Sequence, residues 1–159
     1  MYRSGIGYDT HILVEGRALI LGGVRIPHDK GLLGHSDADA LVHAIMDALL
    51  GAAGLPDIGH LFPNTDPRYE GADSIQLLRE VSRKVGERFE IVNIDSVILC
   101  EAPKLKPHMP LMIERLSEAC GCPNVNVKAT TTEGMNDEGA GRCISAQATC
   151  MLREKRGNP

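Results

Sequence analysis

Between Gly34 and Leu50 the chain reads Gly-His-Ser-Asp-Ala-Asp-Ala-Leu-Val-His-Ala-Ile-Met-Asp-Ala-Leu-Leu, a helical pattern with a single polar stripe. Asp39, His43 and Asp47 recur at i, i+4 and i+8 and therefore share one face. Every other face is apolar, carrying Leu41, Val42, Ala44, Ile45, Met46, Ala48, Leu49 and Leu50, which predicts a helix buried on most sides. A buried acidic and imidazole stripe is costly unless it meets a metal, a ligand or a matched polar network. Ser36 to Asp39 fits an S-x-x-D capping box, so the helix is expected to start near Asp37 and to stop at Gly54, before Pro56.

The remaining chain arranges itself around that helix. Residues 3 to 11 read as a Gly-rich strand that presents Asp9 and His11 on the same side. Residues 18 to 27 read as a hairpin turning on Gly22-Gly23, and Gly31 to Gly34 as a flexible loop. Asp57 to Pro67 holds two prolines among polar turn formers and predicts a structured loop of the kind that carries ligand contacts. Asp73 or Ser74 should cap a second helix reaching Phe89, followed by a central strand from Ile91 to Cys100. A third helix opens around Pro107, has its apolar positions at Met109, Leu111, Met112 and Leu116, and ends at Gly121. Strands from Val125 to Thr132 and from Cys143 to Leu152 flank a Gly-rich loop at 134–141, the last strand closing the sheet. The order β-β-β-α-α-β-α-β-β predicts one α/β (α+β) domain over residues 1–159, a sheet with helices on one face plus a small hairpin.

Composition excludes several classes. Seventeen Lys and Arg against 21 Asp and Glu give a net charge of −4, without the basic cluster of a nucleic-acid footprint. No apolar run approaches the ~18 residues of a membrane span. Five scattered cysteines, at 100, 120, 122, 143 and 150, and no signal-peptide pattern favour plain thiols in a reducing cytoplasm. The start at Met1 and the short tail Lys155 to Pro159 favour a free-standing chain over part of a fusion.

Two constellations carry chemistry. Asp9, His11 and His43 offer a carboxylate and two imidazoles, a donor set suited to zinc with a fourth position open for water or substrate. Spacing alone leaves ordinary polar groups as the other reading. Asp39 and Asp47, one turn either side of His43, are placed to hold its second nitrogen, or else to cap the helix and face solvent. Thr130-Thr131-Thr132-Glu133 ends a strand with hydroxyls and a carboxylate that could hold phosphate oxygens and Mg²⁺, although threonine runs also arise from β propensity. Lys104 and Lys106 could help neutralise phosphate.

Taken together and in order, Gly5 to His11, Gly31 to Asp39 with His43, Asp57-Ile58-Gly59 with Phe62-Pro63, Ala102-Pro103-Lys104 and Lys128 to Glu133 resemble the 2-C-methyl-D-erythritol 2,4-cyclodiphosphate synthase family over nearly the whole chain. The resemblance implies a homotrimer, a four-stranded sheet per subunit and active sites between neighbouring subunits. It implies a small-molecule substrate, 4-diphosphocytidyl-2-C-methyl-D-erythritol 2-phosphate, cyclised with release of CMP by a phosphorus-oxygen lyase of the non-mevalonate isoprenoid pathway. Asp9, His11 and His43 would bind Zn²⁺, and Glu133 a second divalent cation, Mg²⁺ or Mn²⁺. His35 and Thr131 would be catalytic, orienting the transferring phosphoryl groups. Ser36, Asp57, Ile58, Gly59, Phe62, Asn64 and Asp66 would line the methylerythritol side. Cys100, Glu101, Ala102, Pro103, Lys104, Leu105, Lys106, Thr130 and Thr132 would surround the cytidine and its phosphates.

Two departures from the family pattern stand out. Asn64 occupies a position more often held by Asp, which removes one charge. Gly134 to Cys143 departs from a Leu-Gly-aromatic run and a Gly-Arg-x-Glu-Gly motif, which in the family line a central trimer cavity able to hold an isoprenoid-like anion; aligned from Glu133, Asp137 takes the aromatic position and Ala140 the arginine position, whereas aligned on Gly141-Arg142 the arginine is retained in a shifted loop. Two other classes fit the same residues: a non-catalytic nucleotide-phosphate binder, and a zinc hydrolase with Asp39 or Asp57 as base.

Overall fold

Two glycines let the first strand and the first helix meet backbone to backbone. A computed structural model describes residues 1–155; the tail from 156 to 159, including its bearing on a free-standing chain, lies outside the described residues. Strand β1 spans Tyr2–Glu15 and helix α1 spans Ala40–Ala53. A Cβ at Gly5 would stand 2.0 Å from the Ala48 carbonyl oxygen, and one at Gly7 1.9 Å from that of Ala44. Only glycine permits this approach, and the alanines opposite keep the helix surface equally shallow. All the large apolar side chains of α1 are fully buried.

The other elements are β2 (Leu19–Leu21), β3 (Val24–Ile26), β4 (Lys30–Leu32), α2 (Ile58–Leu61), α3 (Ser74–Gly86), β5 (Phe89–Leu99), α4 (Met109–Cys120), β6 (Val125–Thr130), α5 (Asn136–Gly139) and β7 (Cys143–Glu154). The main sheet has the order β4-β1-β7-β5-β6, and β2 pairs with β3 as a separate hairpin. Only β5 and β6 run parallel, because α4 crosses between them; the other pairs are antiparallel. Helices α1, α3 and α4 cover one face of the sheet, as the element order predicts.

The sheet therefore has five strands where four were expected. Residues 30–32, expected to open a loop, pair with Leu13, Val14 and Glu15 on an extension of β1. Three residues are too few to show a strand period, so only the partner makes them a strand. The last strand does not close the sheet at an edge. It lies at the centre, between β1 and β5. Phe89, expected at the end of a helix, begins β5 after α3 stops at Gly86. The start of α1 also moves. Asp39 itself is the N-cap, accepting from Val42 N–H, while Ser36 makes no capping-box contact.

On β1 the side chains alternate between faces. Gly5, Gly7, Asp9 and His11 look toward α1, while Ile6, Tyr8 and Ile12 point to the uncovered face and are 72%, 52% and 54% exposed. Three large apolar residues on a bare face, interrupted only by Thr10, form a patch that water covers poorly.

Gly7→Ala should lower stability by about 1–3 kcal/mol, since overpacking here meets a helix carbonyl and cannot be relieved by a rotamer change. A fall in the urea midpoint without a change in slope would register it; an unchanged midpoint would show that the contact is looser than described.

Candidate metal centre and substrate pocket

The close packing of α1 on β1 brings His43 over Asp9 and His11. Asp9 Oδ2, His11 Nε2 and His43 Nδ1 form a triangle with edges of 2.8, 2.9 and 3.3 Å. Among the described residues these three form the group of side chains able to hold a metal ion. Ligands ~2.0–2.1 Å from a tetrahedral ion stand about 3.3 Å apart, so a slight opening of two edges would accept one. Burial favours the neutral Asp9 carboxyl, but hydrogen bonds from His11 and then His43, with their charge, outweigh it and hold the pKa at about 2. Burial likewise opposes charge on His11, yet its hydrogen bond and attraction to Asp9 leave the imidazole raised.

The outward nitrogens supply the fit test. His11 Nδ1 donates to the Leu33 carbonyl at 2.9 Å, which can only accept, so in the neutral ring Nε2 is bare. His43 Nε2 contacts Ser74 Oγ at 3.0 Å and Ser36 Oγ at 3.2 Å, leaving Nδ1 turned to Asp9. Once the hydrogens on His11 Nε2 and His43 Nδ1 are given up, three lone pairs converge, an arrangement that a divalent cation relieves.

Asp39 and Asp47 do not hold His43. The Asp39 carboxylate is fully buried and accepts from Gly22 N–H, Gly23 N–H and Val42 N–H, tying the hairpin to the start of α1. Burial, reinforced by the charge of Asp37, raises its pKa to about 6 against those three donors. Asp47 accepts from Ile58 N–H at 3.0 Å and anchors α2, its pKa raised by burial. A shared stripe guaranteed only a common direction, and both carboxylates are taken up by backbone N–H donors instead.

A cavity of about 390 Å³ opens beside the triangle, lined by His35, Ser36, Ile58, Gly59, Phe62 and Asn64 together with Met46, Tyr69 and Leu77. His35 Nε2 donates to the Asp66 carbonyl, which fixes the ring in the wall. Asp66 spends its own carboxylate on Arg68, and Asp57 caps α2 and pairs with His60, so neither side chain lines this cavity. The hydrogen bonds Gly71 N–H to His35 O and Asp37 N–H to Ala72 O stitch the two loops together.

Cys100, Glu101, Pro103, Lys104, Leu105, Lys106, Thr130 and Thr131 line a second cavity of about 210 Å³ at the ends of β5 and β6. Ala102 lies behind this wall, its carbonyl accepting from Cys100 Sγ. Glu133 sits beside it, accepting from Thr131 Oγ1 at 3.3 Å with φ of +54°, while Thr132 donates to the Met135 carbonyl. The residue row runs Asp9, Ala146, Ile98, Ala129 across β1, β7, β5 and β6. Three strand spacings, roughly 14 Å, therefore separate the two sets within one chain. In the 134–141 segment Asp137 pairs with Arg142, and Glu138 accepts from Ser145 Oγ.

Ser74, Asp37 and the Leu33 carbonyl were not singled out by the sequence. Ser74 lies 31 residues from His43 and looked like a helix cap, so only tertiary structure brings it to the ring.

The sequence model of the YgbB family matches residues 2–153. A protein named 2-C-methyl-D-erythritol 2,4-cyclodiphosphate synthase, from Synechococcus sp., is 58% identical over 156 residues, covering 96% of this chain and 99% of that protein. A structure described as 2C-methyl-D-erythritol-2,4-cyclodiphosphate synthase in a bound form with CDP superposes with a TM-score of 0.87 at 42% identity, covering 95% of this chain and all of that one. The bifunctional IspDF from Campylobacter jejuni superposes with a TM-score of 0.93 at 38% identity; 98% of this chain corresponds to 43% of that longer one.

His43→Ala should weaken divalent-metal binding by more than about 100-fold, because it removes a ligand outright, whereas Asp47→Ala should leave it unchanged. Cobalt absorption titrations separate the two; equal losses would return Asp47 to the metal site.

Proposed function

Because the chain belongs to the YgbB family, we propose that it converts 4-diphosphocytidyl-2-C-methyl-D-erythritol 2-phosphate to 2-C-methyl-D-erythritol 2,4-cyclodiphosphate and CMP, in non-mevalonate isoprenoid precursor synthesis. The observation that carries this reading is the Asp9, His11 and His43 triangle opening onto a cavity walled by His35 and Ser36. The whole chain acts as one domain, a phosphorus-oxygen lyase of the cytoplasm. Among the described residues no helix is long and apolar enough to cross a membrane.

In this reaction an oxygen of the 2-phosphate bonds to the β-phosphorus of the same molecule, and the bond from that phosphorus to the oxygen of CMP breaks. Nucleophile and target are both anionic, so alignment and charge screening dominate; orienting two groups can contribute ~7–11 kcal/mol. No general base is needed, since the attacking phosphate oxygen is already ionised at neutral pH. Asp9, His11 and His43 would hold Zn²⁺, and Glu133 the Mg²⁺ or Mn²⁺. Bound there, the two cations would supply Lewis acidity and charge neutralisation to phosphate oxygens. Ser36 Oγ already accepts from Ala38 N–H and faces His43 Nε2, so its own proton is free for a substrate oxygen. His35, held by Asp66, and Thr131, beside Glu133, would orient the phosphoryl groups from the two sides. Ser36, Ile58, Gly59, Phe62 and Asn64 would take the methylerythritol unit, with Asp57 and Asp66 shaping its rim. The cavity of Cys100 to Lys106, with Thr130 and Thr132, would take the cytidine end.

The roughly 14 Å between the two cavities supports a site completed by a second copy. Joining the metal-bearing side of one copy to the cytidine-bearing side of the next is a head-to-tail contact, which forms a ring when the rotation between copies closes. The bare apolar patch of Ile6, Tyr8 and Ile12 supports the same homotrimer.

Purified protein given the substrate with Zn²⁺ and Mg²⁺ should release CMP and the cyclic diphosphate. A folded, metal-loaded sample that releases no CMP would favour the binding-only reading, and an uncyclised product would favour a hydrolase. Ile6→Glu should convert the trimer to monomers in sedimentation and abolish turnover; an active monomer would refute the shared site.

A further inference from the structure

We propose that Asp37 and Ser74 are positioning residues that fix the tautomer of His43 and hold its Nδ1 lone pair on the metal. This rests on the reading of Asp9, His11 and His43 as a metal centre. The direction of each proton follows from its neighbours. The Asp37 carboxylate is itself anchored, with Oδ2 accepting Ser74 N–H at 3.0 Å and Oδ1 accepting Asp39 N–H at 3.2 Å. Oδ1 also accepts the Ser74 hydroxyl at 2.5 Å. A serine hydroxyl has one proton, and this contact uses it. Ser74 Oγ can therefore meet His43 Nε2, 3.0 Å away, only as an acceptor, and Nε2 must carry the hydrogen. A neutral imidazole protonated at Nε2 is bare at Nδ1, the atom that faces Asp9 Oδ2 at 2.9 Å.

Burial makes the device stringent. Ser74 is fully buried and His43 is 8% exposed, so water offers no ready substitute partner. The three residues come from separate elements: Asp37 from the loop before α1, Ser74 from the first turn of α3, His43 from α1. Ser36 Oγ, 3.2 Å from the same nitrogen, is a second acceptor that also receives Ala38 N–H. The device thus has a principal and an auxiliary partner.

Zinc affinity by chelator competition, together with ¹⁵N spectra of the His43 ring in metal-free protein, tests the assignment. Ser74→Ala should weaken zinc about 10-fold, and the Ser36→Ala/Ser74→Ala double variant about 100-fold, the range set by partners that orient metal-bound histidines. Asp37→Asn, which can return a proton to the serine, should weaken zinc and mix the two tautomers. Ser74→Thr, which keeps the hydroxyl, should restore affinity and a single Nε2–H tautomer. A purely structural role would move the melting temperature of each variant but not the tautomer. Wild-type His43 protonated at Nδ1, or a folded Ser74→Ala protein with wild-type zinc affinity and tautomer, would overturn the proposal. Neither readout uses turnover, so a wild type that binds zinc but releases no CMP would count against the proposed reaction alone, and one that binds no zinc would count against the metal centre while the spectra still decided the tautomer.

Discussion

The contact between α1 and β1 is the constraint on which the remaining structure depends. A helix ordinarily stands off a sheet by the length of the side chains between them. Here Gly5 and Gly7 on one side, with Ala44, Ala48 and Ala52 on the other, remove those side chains. The helix settles with its own carbonyls against the strand. That is why a residue on α1 can complete a triangle with two residues on β1 whose edges are near 3 Å. Metal ligation tolerates errors of a few tenths of an ångström, a precision that backbone contact supplies more readily than a layer of flexible side chains.

Around this contact the polar groups divide by task. Inside the triangle the donors are lone pairs. Outside it, every remaining nitrogen has an acceptor: the Leu33 carbonyl for His11, and hydroxyls of Ser36 and Ser74 for His43. Asp39, although one turn from His43, serves the architecture by gathering three backbone N–H groups from the hairpin and the helix start. A buried carboxylate so engaged costs less than an isolated one, because each donor compensates part of the lost hydration.

Much of this was legible in the sequence, for identifiable reasons. The helix pattern of residues 40–53 has an unbroken apolar period, and the alternation of β1 places Asp9 and His11 on one face whatever the partner strand. Spacing alone marks Asp9, His11 and His43 as a candidate metal set, and their ligand atoms lie together. What escaped depends on partners far away in the chain. Residues 30–32 become a strand only because β1 runs on to Glu15. The central place of β7 reflects its pairing with both β1 and β5, which local alternation does not encode. Ser74 could not be linked to His43, nor could Asp39 and Asp47 be excluded from it, since a helical stripe gives direction without reach. The division of the remaining residues between two cavities was likewise invisible in their order along the chain.

The order of the sheet also bears on synthesis. Asp9, His11 and His43 all precede β7 in the chain, so the donors are made before it. Yet β1 pairs along most of its length with β7, with Tyr2 opposite Arg153. Until residues 143–154 emerge, the strand that carries two of the donors has α1 on one face and only the three-residue β4 as a sheet partner. Contacts of such long sequence separation form late and slowly. A nascent chain can therefore build the buried helix early, but the sheet that carries two of the donors is completed only once β7 has emerged.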